Sequence, residues 1–182
     1  MAIASGHSDQ RALGQRFEQL TPVRSRPHVI GGRLTYGAGR ANPCRASAPE
    51  PMKIASFNIN NINRRLETLL SWLREAEPDI VCLQELKATD TEFPADAIRQ
   101  AVYQAVWRGE KRWNGVAILA RWTPVVTRMD LPGDASDGQC RYLEAAVNGV
   151  LVASIYAPNG NLSGPKFDYK LAWLKTIECP RG

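Results

Sequence analysis

The stretch that decides the fold is PDIVCLQELK, residues 78–87. Its DIVCLQ part (79–84) has the length and apolar character of a buried strand, and it leads directly into the carboxylate of Glu85. Upstream, KIASFN (53–58) predicts another strand. Between the two, leucines at i, i+3, i+4 and i+7 predict an amphipathic helix: Leu66, Leu69, Leu70 and Leu73. A strand–helix–strand unit favours two parallel, adjacent strands.

Two further residues predict where helices begin. Asn63 is a candidate N-cap for the leucine-bearing helix, which is expected to run to about Glu75. Pro94 is expected to open a short helix that ends near Gln100. The chain therefore alternates strands with helices, as α/β domains do.

The second part of the chain predicts mostly strands. Turn residues separate five apolar segments, at 102–107, 115–120, 124–129, 141–147 and 150–156. Asn148-Gly149, between the last two segments, is a strong hairpin signal. The segment 166–177 has helical spacing in Phe167, Leu171 and Leu174, and we expect a closing helix there.

Residues 1–51 differ in composition from the remainder of the chain. They hold seven Arg, no Lys and three acidic residues, a net charge of +4, whereas residues 52–182 hold sixteen basic and fifteen acidic residues, a net charge of +1. The pI of about 9.2 is therefore weak evidence that the folded part binds nucleic acid. We expect a disordered Arg-rich tail, or a true start at Met52, although an Arg-rich leader is also similar to an organelle transit peptide.

The cysteine and hydropathy patterns exclude several classes of protein. The four cysteines lie far apart, without metal-site spacing, which favours reduced thiols and a cytoplasmic location. No apolar run approaches the roughly 18 residues that span a bilayer, so no membrane association is expected. Both histidines, His7 and His28, lie in the tail, which excludes a histidine-dependent nucleophile or metal site in residues 52–182.

Polar residues at the ends of the first two strands are candidate metal ligands. Asn58 and Asn60 close or follow the first strand, and Glu85 follows the second. The carboxyl ends of parallel strands meet at one edge of a sheet, where ligands bind. Amide and carboxylate oxygens suit Mg²⁺, which keeps several waters and takes few protein ligands. The ordinary alternative is that Asn58 forms a turn and Glu85 is a solvated acid.

Three later positions are candidates for contact with a phosphate. Asn114, in KRWNGVAIL (111–119), faces a phosphate or makes the turn, and Arg141 pairs either with a ligand or with a nearby acid, namely Asp134, Asp137 or Glu144. Tyr156, in YAPNGN (156–161), ends a strand and can hydrogen-bond a phosphate or orient an attacking water, unless it is a core tyrosine whose hydroxyl reaches the surface.

Taken together, several stretches resemble exonuclease III, the bacterial-type apurinic/apyrimidinic endonuclease family of the endonuclease/exonuclease/phosphatase superfamily. The resemblance covers Met52 to about Lys175, and the stretches that carry it are, in chain order, KIASFNINNINRR, PDIVCLQELK, KRWNGVAIL, DLPGDASDGQCRYLEA and YAPNGN. It implies a four-layer α/β/β/α sandwich of two similar halves. Residues 52–182 are then expected to form the first half, a mixed sheet with flanking helices.

The resemblance also implies a chemistry and a set of roles. The family hydrolyses phosphodiesters of double-stranded DNA at abasic sites or from 3′ ends, with Mg²⁺ or alternatively Mn²⁺. Glu85 and Asn58 are implied as metal ligands and Tyr156 as the active-site tyrosine. The residues implied to contact substrate are Asn60, Lys87, Arg64, Asn114 and Arg141. A nucleoid-associated place in the cytoplasm and, for a complete protein, a monomer follow as expectations.

The family's later GD-x-N and D-H-x-P stretches are not found in this sequence. We therefore expect a truncated domain with no second sheet, an uncovered apolar sheet face that promotes aggregation, and negligible nicking by the chain alone. Two alternatives remain open: a phosphoesterase of the same superfamily that acts on lipid or small phosphoesters, and a non-catalytic nucleic-acid-binding fragment.

Overall fold

A computed structural model of the chain describes residues 21–22, 52–160 and 163–177. In these residues, eight strands and three α-helices form a mixed α/β fold with two sheets. The expected disordered tail lies outside the described residues except at 21–22. None of the described helices has the length and apolar character needed to cross a membrane.

The elements follow the predicted order along the chain. The strands are β1 Thr21–Pro22, β2 Lys53–Asn58, β3 Ile80–Gln84, β4 Gln104–Arg108, β5 Val116–Ala120, β6 Val125–Arg128, β7 Tyr142–Val147 and β8 Val150–Ile155. The helices are α1 Leu66–Ala76, α2 Ala95–Gln100 and α3 Pro165–Ile177, with a 3₁₀ turn at Asp90–Glu92. The strands predicted from Lys53 onward are confirmed to within two residues at each end.

The first sheet has five strands in the order β1-β2-β3-β5-β4. β2 and β3 pair in parallel, with Ile54 opposite Ile80 and Asn58 opposite Gln84, which confirms the predicted strand–helix–strand unit. β5 is antiparallel to both of its neighbours, β3 and β4. Because β2 and β3 end at the same level, Asn58 and Glu85 emerge at one edge of this sheet.

A second sheet contradicts the expectation that the chain has none. β6, β7 and β8 form an antiparallel three-stranded sheet, and its β7–β8 hairpin turns at Asn148 and Gly149, both with positive φ, as predicted. Apolar side chains on its inward face pack against β3 and β5 and form a core between the sheets. The hairpin can fold onto the first sheet because alternate residues of β7, from Leu143 to Val147, are apolar and buried.

Helices cover the outer faces of both sheets, so four layers are present. α1 and α2 pack on the first sheet, with Leu69, Leu73 and Ile98 buried. α3 packs on the outer face of the second sheet through Trp173, which is buried against Leu131 and Tyr142. Trp173 is not one of the residues whose spacing predicted this helix. The layers follow the order helix, sheet, sheet, helix.

Asn63 does not cap α1, contrary to the expectation. The helix begins at Leu66 after Arg65, which makes no capping bond through its side chain. The Asn63 side chain instead donates 3.1 Å to the carbonyl oxygen of Glu92 and ties the helix approach to the 3₁₀ turn. The prediction was wrong because the helix begins at Leu66, so that Asn63 lies two residues before the N-cap position, where its side chain contacts the 3₁₀ turn.

Candidate active site

The backbone leaves strand geometry at the residue that begins the site. Glu85 has φ of +55° and Lys87 has φ of +50°, a left-handed conformation that costs a non-glycine residue about 1 kcal/mol or more. Neighbouring loops hold this segment on both sides. The Asn61 N–H donates 2.9 Å to the Glu85 carbonyl, and the Lys87 N–H donates 3.0 Å to the Asn114 carbonyl. These bonds offset the conformational cost and turn the Glu85 side chain out of the sheet.

The Glu85 carboxylate is engaged by both of its oxygens. The Tyr156 hydroxyl donates 2.6 Å to Oε1, and the Lys87 Nζ lies 3.0 Å from Oε2. Partial burial on its own raises the pKa of this carboxyl. Hydrogen bonds from Tyr156, Asn58 and Lys87, together with the Lys87 charge, outweigh the burial and lower the pKa below its ordinary value of 4.5. Glu85 is therefore ionised at neutral pH.

Tyr156 reaches the same point from the second sheet. It follows β8, and its N–H donates 2.8 Å to the Arg141 carbonyl. Partial burial, and then the hydrogen bond to Glu85, raise the pKa of its phenol above 10, so the hydroxyl keeps its proton at neutral pH. The sequence separates Glu85 from Tyr156 by 71 residues, and the contact between the sheets brings them together.

Arg141 covers the ring of Tyr156 and pairs with no acid among the described residues. Its guanidinium carbon lies 4.7 Å from the ring centroid, and its Nε donates 2.7 Å to Gln139 Oε1. The acids considered as partners are engaged elsewhere: Asp134 with Ser136, Asp137 with Tyr169, and Glu144 with Thr127 and Tyr142. The positive charge of Arg141 is thus available to an anionic ligand.

Asn58 and Asn60 lie beside Glu85 as the strand register requires. Asn58 Oδ1 accepts the Asn60 N–H at 3.0 Å, and Lys87 Nζ donates 2.6 Å to Asn60 Oδ1. Lys87 therefore bridges Glu85 and Asn60. The predicted neighbourhood of Asn58, Asn60 and Glu85 is present in the structure.

The side-chain amide of Asn114 is committed to protein partners and offers no donor to a phosphate. It is 3% exposed, and its Nδ2 donates to Glu110 Oε1 at 2.8 Å and to Gln139 Oε1 at 3.4 Å. Both partners are oxygen acceptors, which fixes the orientation of the amide and commits its hydrogens. Glu110, which the motifs did not single out, also accepts the Cys140 N–H at 2.8 Å and thereby joins this loop to the one that carries Arg141.

One cavity of about 500 Å³ brings most of these groups together. Its walls include Glu85, Lys87, Asn114, Arg141 and Tyr156, and they also include residues that sequence reasoning missed: Trp113, Gln139 and Lys166. Trp113 is 69% exposed, and its position beside Asn114 was the only signal available. Nothing in the sequence marks Lys166, which the packing of α3 places there.

Arg64 lies in a second, smaller cavity. This cavity of about 360 Å³ is lined by Asn60, Asn61, Arg64, Arg65 and Lys87. Lys87 belongs to both cavities, so the two are adjacent. The structure thus groups seven of the eight predicted site residues along the two cavities, and the eighth, Asn58, hydrogen-bonds Glu85 through its side chain.

The residues present fit a divalent cation with few protein ligands. Glu85 offers an ionised carboxylate, and Asn58 Oδ1 accepts one hydrogen bond and retains a second lone pair. Over the described ranges, no three His, Cys, Asp or Glu side chains cluster as metal ligands would. Such a donor set suits a hard cation that completes its coordination with water.

Comparison with known proteins gives one family. The model of the Endonuclease/Exonuclease/phosphatase family matches residues 55–178. Among curated relatives, exodeoxyribonuclease III of Haemophilus influenzae is 35% identical over 113 residues, which are 60% of this chain and 42% of that protein. The DNA repair nuclease APEX1 of Danio rerio is 28% identical over 127 residues, which are 67% of this chain and 41% of that protein.

Solved structures agree with the family match. A 3′-5′ exonuclease from Neisseria meningitidis aligns with a TM-score of 0.66 and 41% identity, over 69% of this chain and 50% of its own. An AP endonuclease from Archaeoglobus fulgidus aligns with a TM-score of 0.66 and 37% identity, over 69% of this chain and 49% of its own. The chain spans about half the length of the relatives it matches.

Proposed function

The chain belongs to the Endonuclease/Exonuclease/phosphatase family, and on that premise we propose that it serves the hydrolysis of phosphodiesters in double-stranded DNA, at abasic sites or from 3′ ends. One observation carries the proposal. A single cavity contains an ionised carboxylate, a tyrosine hydroxyl bonded to it, and the cations Arg141 and Lys166, neither of which pairs with an acid in the described part of the chain. The names of the relatives, which include an exonuclease, an AP endonuclease and a DNA-bound 3′ phosphatase, support DNA as the substrate.

Glu85 and Asn58 would hold the cation, Mg²⁺ in the first place and Mn²⁺ as the alternative. When bound, such an ion supplies a Lewis acid and a counter-charge for the developing phosphorane. The chain's own residues then orient the phosphate. Tyr156 keeps its proton, and once a cation occupies Glu85 its hydroxyl can turn that proton from Glu85 to a phosphate oxygen. Arg141, stacked on the same ring, neutralises phosphate charge.

The second cavity would bind part of the DNA duplex outside the reacting phosphate. Arg64 and Arg65 line it beside Lys87, and neither arginine forms an ion pair with a described residue. Cations at this position would contact backbone phosphates on one side of the cleaved bond. Such contacts position a duplex without reading its sequence.

The described lining of the larger cavity includes no second carboxylate that could activate water. Glu85 is the only carboxylate among the described residues that line the larger cavity, and the proposal assigns it to the cation. We therefore expect the 182-residue chain alone to bind DNA and divalent ions together but to nick abasic DNA negligibly.

Anisotropy of a labelled abasic duplex tests the proposal. We expect the parent chain to bind more tightly in Mg²⁺ than in EDTA, because Glu85 links the cation to the phosphate. Glu85→Gln keeps the size of the side chain and removes its charge, so this increment is lost. Glu67→Gln, an exposed position on α1, is the matched control and keeps the increment. A DNA affinity that is the same with and without Mg²⁺ and with and without the Glu85 carboxylate would overturn the proposal. So would rapid hydrolysis of small phosphoesters by a chain that has no affinity for DNA.

A further inference from the structure

We propose that Ser154 is a positioning residue whose buried hydroxyl joins the two sheets and fixes the separation of Glu85 and Tyr156. This inference rests on the proposed function, since it concerns the same site. Sequence motifs did not mark Ser154, and it touches neither cavity.

The first observation is a hydrogen bond that crosses between the sheets. Ser154 lies in β8 and is 0% exposed, and its Oγ donates 3.0 Å to the Leu83 carbonyl in β3. Glu85 is two residues beyond Leu83, and Tyr156 is two residues beyond Ser154. The bond thus ties the two strands together one pleat before each delivers its side chain to the site.

The second observation is that the same hydroxyl also accepts a hydrogen bond. Gln84 Nε2 lies 3.4 Å from Ser154 Oγ, and it also donates to Ser56 Oγ at 3.1 Å and to the Cys82 carbonyl at 3.3 Å. Gln84 is 8% exposed, so its contact with Ser154 is largely shielded from water, whereas Ser56 lies at the exposed end of the cluster. Ser154 is therefore held as donor and as acceptor, and its orientation is fixed.

The contacts that surround this bond in the core are apolar. Around Ser154 the core between the sheets is formed by apolar side chains such as Ile118 and Val152, and the other hydrogen bonds between the two halves, such as Gly115 N–H to the Cys140 carbonyl at 3.0 Å, lie in the loops. Apolar contact has no direction and tolerates small sliding of one sheet over the other. The 2.6 Å bond between Tyr156 and Glu85 does not tolerate such sliding, because hydrogen bonds weaken steeply beyond their narrow range of distance and angle. The bond from Ser154 to Leu83 supplies a directional tie within this core, two residues from each partner of the Tyr156–Glu85 contact.

The test compares Ser154→Ala with Ser56→Ala. Both variants remove one hydroxyl from the Gln84 cluster, but only Ser154→Ala removes the bond between the sheets. The readout is the ¹³Cζ resonance of Tyr156 in tyrosine-labelled protein, assigned with Tyr156→Phe. We expect this resonance to move toward that of an exposed tyrosine in Ser154→Ala and to stay in place in Ser56→Ala. Thermal unfolding, recorded for both, shows that each is folded at the temperature of measurement.

The anisotropy assay separates the two proposals. Ser154→Ala is expected to lose most of the Mg²⁺-dependent increment in DNA affinity while retaining affinity in EDTA, whereas Ser56→Ala keeps both. If Ser154→Ala retains the resonance and the increment while Glu85→Gln loses the increment, the positioning role is wrong and the proposed function stands. If Glu85→Gln loses nothing, the proposed function fails, and the Tyr156 resonance alone decides whether Ser154 sets the contact.

Discussion

Glu85 combines an ionised carboxylate with a backbone conformation that few glutamates adopt. Its φ of +55° turns the side chain away from β3, and Tyr156 and Lys87 hold the two oxygens in place. The side chain of Glu85 is 16% exposed, so its charge is only partly screened by water. Against this single negative charge the larger cavity presents Lys87, Arg141 and Lys166. The excess of positive charge in this cavity favours an anionic ligand.

The lowered pKa of Glu85 links the stability of the fold to pH. A carboxyl whose folded pKa lies below its unfolded value stabilises the protein above the unfolded value, here 4.5, and loses that contribution as the pH falls through the folded value. We expect the free energy of unfolding of the parent to fall more steeply below about pH 4.5 than that of Glu85→Gln. Urea unfolding at a series of pH values measures this.

Glu67→Gln removes an exposed carboxylate from α1 and is the control for the general effect of charge. It is expected to follow the parent curve. If the free energy of unfolding of Glu85→Gln and that of the parent fall equally at acid pH, the contacts of Glu85 do not stabilise the folded form.

The strand pattern could place part of this site in advance. Asn58 and Glu85 were predicted together because parallel strands end at one edge, and the register of β2 with β3 confirms that neighbourhood. The burial of Asn114 was not predictable, because its partners Glu110 and Gln139 lie in loops whose closure depends on the second sheet. Local sequence carries no record of such a tertiary contact.

At the scale of elements, the end of α2 shows a conflict between sequence and conformation. Val102 follows the C-cap residue Ala101 and has φ of +62°, although β-branched residues strongly disfavour the left-handed region. Its side chain is 72% exposed and gains little from packing. Helices commonly end on glycine or asparagine at this position.

Val102→Gly is therefore expected to stabilise the chain by about 1 kcal/mol, because glycine adopts the left-handed conformation without steric cost. Chemical denaturation measures the change. Ala101→Gly is the matched control, since Ala101 has φ of −82° and glycine brings only added freedom there. Equal effects of the two substitutions would contradict the explanation from backbone strain.

α3 shows what helical spacing leaves open. Phe167, Leu171 and Leu174 predicted the helix, yet Leu171 and Leu174 are 42% and 43% exposed, and the buried residue is Trp173. Apolar side chains occur on several sides of this helix, so the spacing selects no single face. The choice is made by Leu131 and Tyr142, which form the surface that Trp173 covers.

At the scale of the whole molecule, the second sheet covers the first only in part. β7 and β8 lie over β3 and β5, whereas Ser56, on the same face of β2, is exposed. Within the described residues β8 pairs only with β7, so its other edge presents unpaired backbone groups. The uncovered part of the first sheet's inner face is thus smaller than the sequence predicted. The free edge of β8 lies at the border of the second sheet.

Apolar side chains beside this edge make self-association the expected behaviour of the chain in solution. Val125 and Leu151, 63% and 61% exposed, flank Ala146 on the outer face of the second sheet. An open edge next to an apolar row is a template for pairing with another chain, and a lysine on the edge strand opposes such pairing.

We expect the parent to elute from size exclusion as concentration-dependent oligomers and Leu151→Lys to shift strongly toward monomer. Leu174→Lys, which places the same charge at an exposed position of α3 and not on the edge strand, is expected to leave the distribution of the parent unchanged. A parent that stays monomeric at high concentration, or two variants that behave alike, would show that the free edge of β8 does not drive association.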